Sequence, residues 1–239
     1  MKRNYFIDKF RGFTIVSMVL FHLMYNINYY WQVSWYDGTL INKIWQLSIA
    51  TSFFTISGLT SNFLNPSKNI KRGMFTSLIG FAISLITYLF APEQLIIWGV
   101  LNGLGACMII TGLLQKYIKI NHKLFFVFFL LFIITYNVPR GSLYDFFNNL
   151  YDKNLFILGF PGETFTSSDY FPIIPWIFIF IGGYLLGNFV NIKDKSSKSN
   201  DSLLAKIGHH SMEIYLAHQI ILYPLVTLIY NLAQSELPA

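Results

Sequence analysis

The sequence predicts an all-α polytopic membrane protein with about seven transmembrane helices, a cytoplasmic N-terminus and an external C-terminus. Of the 239 residues, 54% are hydrophobic and only 12% are charged, whereas a typical soluble domain has about 25% charged residues. Apolar runs recur along the chain, and the Lys and Arg residues fall between them. We therefore expect one transmembrane domain over residues 1–239, without a sizeable soluble part.

The apolar runs give the individual helices. A spanning helix needs about 20 mostly apolar residues. Seven stretches approach this length: 8–30, 43–64, 73–91, 94–116, 122–138, 171–190 and 207–231. The first follows a basic N-terminus, as the apolar part of a signal peptide would. Because residues 24–36 are rich in Tyr, Asn and Trp and do not form a small-residue cleavage site, we predict an uncleaved first helix.

The basic residues decide the number of spans and their orientation. With seven spans, all Lys and Arg residues except Lys43, Arg140 and Lys153 lie on one side. Omitting the short fifth span would move the cluster NIKDKSSKSN (191–200) to the outside, against the positive-inside rule. We therefore predict a multi-pass protein of the cell membrane. Richness in Asn, Ile, Lys and Phe suggests an AT-rich bacterium, and hence the bacterial cytoplasmic membrane.

The longest predicted connection is the external segment 139–170, which contains LGFPGETFTSSDYFP. Connections of this length are often functional. The many Phe, Tyr and Leu residues predict that it packs on the outer mouth of the helices. A lid or substrate platform and a plain connector both remain open.

Several classes of function are excluded. The net charge of +6 does not predict nucleic-acid binding, because the basic residues form no polar patch with aromatic side chains. The single cysteine, Cys107, excludes an internal disulfide framework and a cysteine-based metal site, and we expect it to be a packing residue. We find no zinc-ligand spacing, phosphate-binding loop or nucleophile elbow, and we predict no metal.

Two histidines lie well inside predicted spans, away from the span ends. His22 follows Arg11 by 11 residues, and His218 follows Ile207 by 11 residues. Both helices start on the inner side, so the rings should lie at a similar depth, roughly 16 Å inward at the helical rise. An ionisable residue within a spanning helix is costly and by default indicates function.

Three amides lie near these histidines in the predicted arrangement. Asn26 is one turn above His22 on the same helix face, Gln219 follows His218, and Asn102 enters the same zone from the outer side. A neutral imidazole in such a cavity can take a proton from an attacking amine or hydroxyl near pH 7. The alternative is that both histidines only form hydrogen bonds with neighbouring helices.

Glycine pairs and inner-edge basic residues allow two interpretations each. GVLNG (99–103) and GYLLG (183–187) are small-xxx-small patterns that favour close helix packing, although a slender ligand could also approach such a backbone. The basic residues Arg11, Lys71 and Arg72 set the orientation of the helices, but they could also bind phosphates.

Four stretches together resemble one known family. They are DKFRGFTIVSMVLFH (8–22), IIWGVLNGLGACMII (96–110), LGFPGETFTSSDYFPIIPWIFIFIGGYLLG (158–187) and IGHHSMEIYLAHQIIL (207–222). This pattern resembles the heparan-α-glucosaminide N-acetyltransferase catalytic-domain family, in its short bacterial branch. SSDYFPIIPW and IYLAHQ are the most specific segments. The resemblance implies acetyl transfer from cytoplasmic acetyl-CoA to a sugar or glycan acceptor at the external face.

The hypothesis of an acetyltransferase assigns roles to single residues. The donor phosphates would meet Arg11, Lys71 and Arg72, with the pantetheine arm passing Gly99 and Gly103. His22 or His218 would deprotonate the acceptor, and Asn102 or Gln32 would hold the acyl carbonyl. Asn26, Gln32, Trp35 and Gln219 would form the acceptor site.

Three of these positions depart from the family pattern. An alignment on Ser34 and Trp35 places Gln32 where lysosomal members have the catalytic histidine. Asn102 and Asn26 stand where many bacterial relatives have His and Asp. A transporter or flippase for a small metabolite or lipid-linked sugar, and a non-catalytic family member, therefore remain alternatives. The expected partners are membrane lipid, acyl-CoA, the glycan acceptor and a second copy in a homodimer.

Overall fold

The computed structural model describes residues 5–117, 121–189 and 202–235. All regular elements in these ranges are helices, which confirms the predicted all-α class, and one isolated β-bridge joins Leu155 to Phe160. The α-helices are α1 (Tyr5–Trp31), α2 (Leu40–Asn62), α3 (Pro66–Phe90), α4 (Val100–Tyr117), α5 (Phe125–Thr135), α6 (Tyr144–Asp152), α7 (Ile173–Leu186), α8 (Leu203–His209) and α9 (Ser211–Ser235). Short 3-10 turns cover Pro92–Gln94, His122–Leu124 and Val138–Arg140.

Within the described ranges, three helices are long and apolar enough to cross a membrane: α1, α3 and α9. The pair α5 and α6, bent by 60° at its break, would add a fourth if it forms one span. Helices α4 and α7 are apolar but shorter. The chain is therefore a membrane protein, while seven spans and the orientation of the termini stay predictions. The basic cluster 191–200 lies outside the described residues.

Three helix starts differ from the sequence prediction. The last predicted span, 207–231, begins inside α8 and is interrupted at His210, the C-cap of α8, before α9 starts at Ser211. Helix α3 begins at Pro66, not at residue 73, because the side chain of Asn65 accepts a hydrogen bond from the Lys68 N–H (2.9 Å) and proline suits the first helical position. Helix α4 begins at Val100, not at residue 94. The preceding carbonyls of Leu95 and Trp98 accept hydrogen bonds from residues 168 and 171, so this stretch of backbone is bonded to another segment instead of forming a helix.

The fifth span and the segment after it are also more broken than predicted. The α-helix covers only Phe125–Thr135, and a 3-10 turn and the bend into α6 follow it. The predicted loop 139–170 thus contains a helix. Its residues Tyr151 and Phe160 form a small core with Val138, which precedes the loop. The Tyr151 hydroxyl donates to the Val138 carbonyl at 2.6 Å, which ties α6 to the end of the preceding turn.

The described chain divides into two compact units. The first comprises the described residues within Met1–Phe53 and Ile192–Ala239, and the second those within Phe54–Asn191. In the first unit, α1 packs against α8 and α9. A buried cluster of Ile15, Met18, Phe21, Tyr36 and Ile49 forms its core.

In the second unit, α3 packs against α4, and α7 packs against α5 and α4. Small residues allow close approach, as the sequence predicted. A Cβ on Gly183 would lie 2.8 Å from the Thr55 Cα, and one on Gly187 would lie 2.6 Å from the Asn62 Cβ. Cys107 is fully buried in α4, in agreement with the expected packing role.

Candidate functional site

Helices α1 and α9 bring four of the predicted site residues together in the first unit. The rings of His22 and His218 lie 4.7 Å apart between centroids, at an angle of 55°. The Asn26 amide nitrogen donates to Gln219 Oε1 at 3.0 Å, and Gln219 Nε2 lies 3.1 Å from His22 Nδ1. These four residues therefore lie close together, as predicted. His22 and Asn26 are one turn apart on α1, and His218 and Gln219 are adjacent on α9.

Contacts on the opposite face of α1 set the rotation of this helix and turn His22 towards α9. The Tyr36 hydroxyl donates to the Phe21 carbonyl at 3.0 Å, and the Trp45 indole N–H donates to Ser17 Oγ at 2.8 Å. These bonds, together with the buried cluster around Phe21, fix the rotation of α1. The polar face that carries His22 and Asn26 is left for α9, and Asn26 is only 4% exposed.

Aromatic residues hold α1 to α9 beyond this cluster. Tyr30 stacks on Tyr230 with a centroid distance of 4.5 Å, and its hydroxyl forms a 2.8 Å hydrogen bond with the Thr227 hydroxyl.

The α1 helix ends at Trp31, and Gln32 follows with a positive φ of 49°. Gln32 and Trp35 are both exposed in the turn after α1, and their predicted contact with the acceptor stays a prediction.

Asn102 lies in the second unit and is 1% exposed. Its amide nitrogen is 3.5 Å from the Ser77 carbonyl, and its Oδ1 is buried without a hydrogen-bond partner in the described part of the chain. A Cβ on Gly80 would lie 2.7 Å from the Asn102 Cγ, so a larger residue there would collide with the amide. The prediction that Asn102 shares a cavity with the histidines stays a prediction.

The start of α4 is held by the SSDYF segment, a feature the sequence analysis did not assign. The Asp169 carboxylate accepts a hydrogen bond from the Val100 N–H at 3.0 Å, and Ser167 Oγ accepts one from the Ile97 N–H at 2.9 Å. Burial raises the pKa of Asp169 from 3.8 to about 6, against the opposing effect of the Val100 hydrogen bond. In the sequence, the position of Asp169 within the SSDYF motif was the feature that could have drawn attention to it. Carboxylates with a shifted pKa cluster at functional sites.

The same segment fills the space beside the two glycines predicted to face a donor. A Cβ on Gly99 would lie 2.8 Å from Asp169 Oδ2, and one on Gly103 would lie 3.0 Å from the Phe171 Cβ. In this structure the two glycines therefore serve close packing of the loop on α4. Their predicted contact with pantetheine stays a prediction.

The three predicted phosphate-binding residues occupy helix α1 and the first turns of α3. Arg11 forms an ion pair with Asp8 at 3.1 Å, and Lys71 is exposed on α3 beside the partly buried Arg72. Among the residues the structure describes, no group of three His, Cys, Asp or Glu side chains could hold a metal ion.

Comparison with known proteins gives the family. Residues 3–220 match the family described as "Heparan-alpha-glucosaminide N-acetyltransferase, catalytic". No curated protein and no solved structure gives a significant match. The match covers most of the chain and confirms the resemblance predicted from the four sequence stretches. The chain therefore belongs to the heparan-α-glucosaminide N-acetyltransferase catalytic-domain family, which indicates a transmembrane acetyltransferase.

Proposed function

We propose that this protein transfers an acetyl group from cytoplasmic acetyl-CoA to an amine or hydroxyl of a sugar or glycan at the external face. One observation supports this proposal above the others: two histidines and two hydrogen-bonded amides meet between α1 and α9. Imidazole is the side chain best suited to proton transfer near pH 7. Both helices are also long and apolar enough to span a membrane.

The proposed chemistry is a direct acyl transfer. The acceptor nitrogen or oxygen attacks the thioester carbonyl carbon, and a histidine takes the acceptor proton as the new C–N or C–O bond forms. The C–S bond then breaks, and the proton on the imidazolium passes to the leaving thiolate. The products are the acetylated acceptor and CoA with a free thiol, and the histidine returns to its neutral form.

The remaining predicted residues take supporting roles in this proposal. Arg11, Lys71 and Arg72 bind the phosphates of the donor, since charged hydrogen bonds to phosphate are among the strong ones. Asn102 or Gln32 donates to the carbonyl oxygen, where negative charge develops during the reaction. The Asn102 amide nitrogen, which would donate, is 3.5 Å from the Ser77 carbonyl, at the long limit of a hydrogen bond, and this weak contact supports its availability.

The test is acetyl transfer by the protein reconstituted in proteoliposomes, with radiolabelled acetyl-CoA and glucosamine as the first acceptor. We expect His22→Ala and His218→Ala to lower transfer at least 100-fold, the usual size of a general-base contribution. The matched control is His210→Ala, which removes an exposed ring that contacts Glu213 and His209 and should leave the rate unchanged. Full activity in both site variants would refute the role of the histidines, and no transfer by the wild-type protein above protein-free liposomes would refute the proposed function.

A binding measurement separates the alternatives. Acetyl-CoA should raise the melting temperature of the purified protein in a saturable way, beyond the effect of ATP, because it binds the native state. Flux of a sugar into sealed vesicles without acetyl-CoA would instead support a transporter. The absence of both acetyl-CoA binding and sugar flux would support a non-catalytic member of the family.

A further inference from the structure

We propose that His22 and His218 hold opposite neutral tautomers and therefore have different roles: His218 is the proton acceptor, and His22 is a hydrogen-bond donor. Gln219 and Asn26 are then positioning residues that act through His22. The catalytic part of this inference rests on the proposed acetyl transfer. The tautomers themselves follow from the hydrogen bonds alone.

The tautomer of His218 follows from its backbone partner. His218 Nδ1 lies 2.5 Å from the Tyr215 carbonyl oxygen, and a carbonyl oxygen can only accept. Nδ1 therefore carries the proton, and the lone pair of the neutral ring is on Nε2. That atom is buried and has no hydrogen-bond partner among the described residues, so it is available to take a proton from a bound acceptor.

The tautomer of His22 follows from the two amides. Asn26 donates its amide N–H to Gln219 Oε1, which leaves the Gln219 nitrogen as the group beside His22 Nδ1 at 3.1 Å. An amide nitrogen donates and does not accept. Nδ1 of His22 is therefore the acceptor, and its neutral ring carries the proton on Nε2.

The two arrangements suit two different tasks in acyl transfer. A base needs a free lone pair, which His218 has on Nε2. A group that stabilises the developing oxyanion needs a proton to donate, which His22 has on Nε2. Because the rings are 4.7 Å apart, one bound substrate can reach both. Asn26 lies on the buried face of α1. Because it donates to Gln219 Oε1, the Gln219 amide nitrogen is turned towards His22.

The first measurement is nitrogen NMR of the full-length protein in lipid bilayers, with 15N-labelled histidine. Ring nitrogens with and without a proton have well-separated shifts, so each tautomer can be read directly. The resonances are assigned by their loss in His22→Ala and His218→Ala. We expect Nε2–H for His22 and Nδ1–H for His218. The same tautomer on both rings would overturn the inference, whatever the activity.

The second measurement uses Gln219→Glu. A carboxylate can only accept, so His22 should move its proton to Nδ1, while His218 should keep its tautomer because it depends on the Tyr215 carbonyl. The matched control is Gln234→Glu, the same change at an exposed position of α9, which should alter neither ring. An unchanged His22 tautomer in Gln219→Glu would refute the positioning role.

Activity then tests the division of roles. We expect His218→Ala to lower kcat at least 100-fold and Gln219→Glu to lower kcat at least tenfold with little change in KM. Full kcat in His218→Ala, with loss in His22→Ala, would reverse the assignment and overturn it. If the wild-type protein transfers no acetyl group, the proposed function fails while the NMR result still decides the tautomers.

Discussion

Asp169→Asn should stabilise the protein at neutral pH, although it removes a charge next to a helix start. The pKa of the buried carboxylate is raised from 3.8 to about 6, so the ionised form is disfavoured in the folded state. A shift of about 2 pKa units corresponds to at most about 3 kcal/mol. This cost is full above about pH 6 and disappears as the pH falls towards 3.8. Asparagine imitates the neutral acid, because its carbonyl oxygen can still accept from the Val100 N–H.

The assay is the melting temperature in detergent, followed by tryptophan fluorescence between pH 4.5 and 8. For a protein of this size, each kcal/mol corresponds to roughly 2–4 °C, so the increase at pH 7.5 should be at most about 6–12 °C. It should fall to about a third of that value at pH 4.5. Asp145→Asn, at an exposed position of α6, is the matched control and should show no such trend. A lower melting temperature for Asp169→Asn at pH 7.5 would refute the reasoning and show that the charge stabilises α4.

Two further predictions concern packing. Gly12→Ala should lower the melting temperature by the equivalent of about 1–3 kcal/mol, because its Cβ would lie 2.8 Å from the Leu204 carbonyl carbon; an unchanged value would show that α8 does not depend on this contact with α1. Tyr151→Phe should cost about 1 kcal/mol or more in thermal unfolding, since it leaves the Val138 carbonyl without its 2.6 Å hydrogen bond. Equal stability of the two proteins would contradict that estimate.

The sequence predicted the site on α1 and α9 in outline. His22 and Asn26 share a helix face by spacing alone. The expectation of one depth for His22 and His218 used equal offsets from Arg11 and Ile207, whereas α1 begins at Tyr5 and α9 begins at Ser211, so only the observed contact of the two rings shows that they lie together. The spacing could not give the direction of the hydrogen bonds. That direction depends on the rotation of α1, which the distant partners Tyr36 and Trp45 set by bonding to its other face.

The start of α4 shows a different limit of sequence reasoning. Residues 94–99 are apolar enough to continue a helix, but their backbone bonds to the SSDYF segment some 70 residues later. Local hydrophobicity carries no information about such a partner. The same contact also covers the carboxylate of Asp169, so its raised pKa could not be identified from composition or spacing.

By itself, the sequence determined that this is a helical membrane protein, where most of its helices lie and which family it belongs to. These properties depend on the length of apolar runs, because every backbone polar group in a bilayer must find its partner within the helix, and on motifs that can be read directly. Tertiary structure decided where α4 begins, which glycines are contacted and which side chain lies beside His22 Nδ1. Each of these depends on a partner that is distant in sequence, and hydrogen bonding and close packing are properties of pairs of atoms.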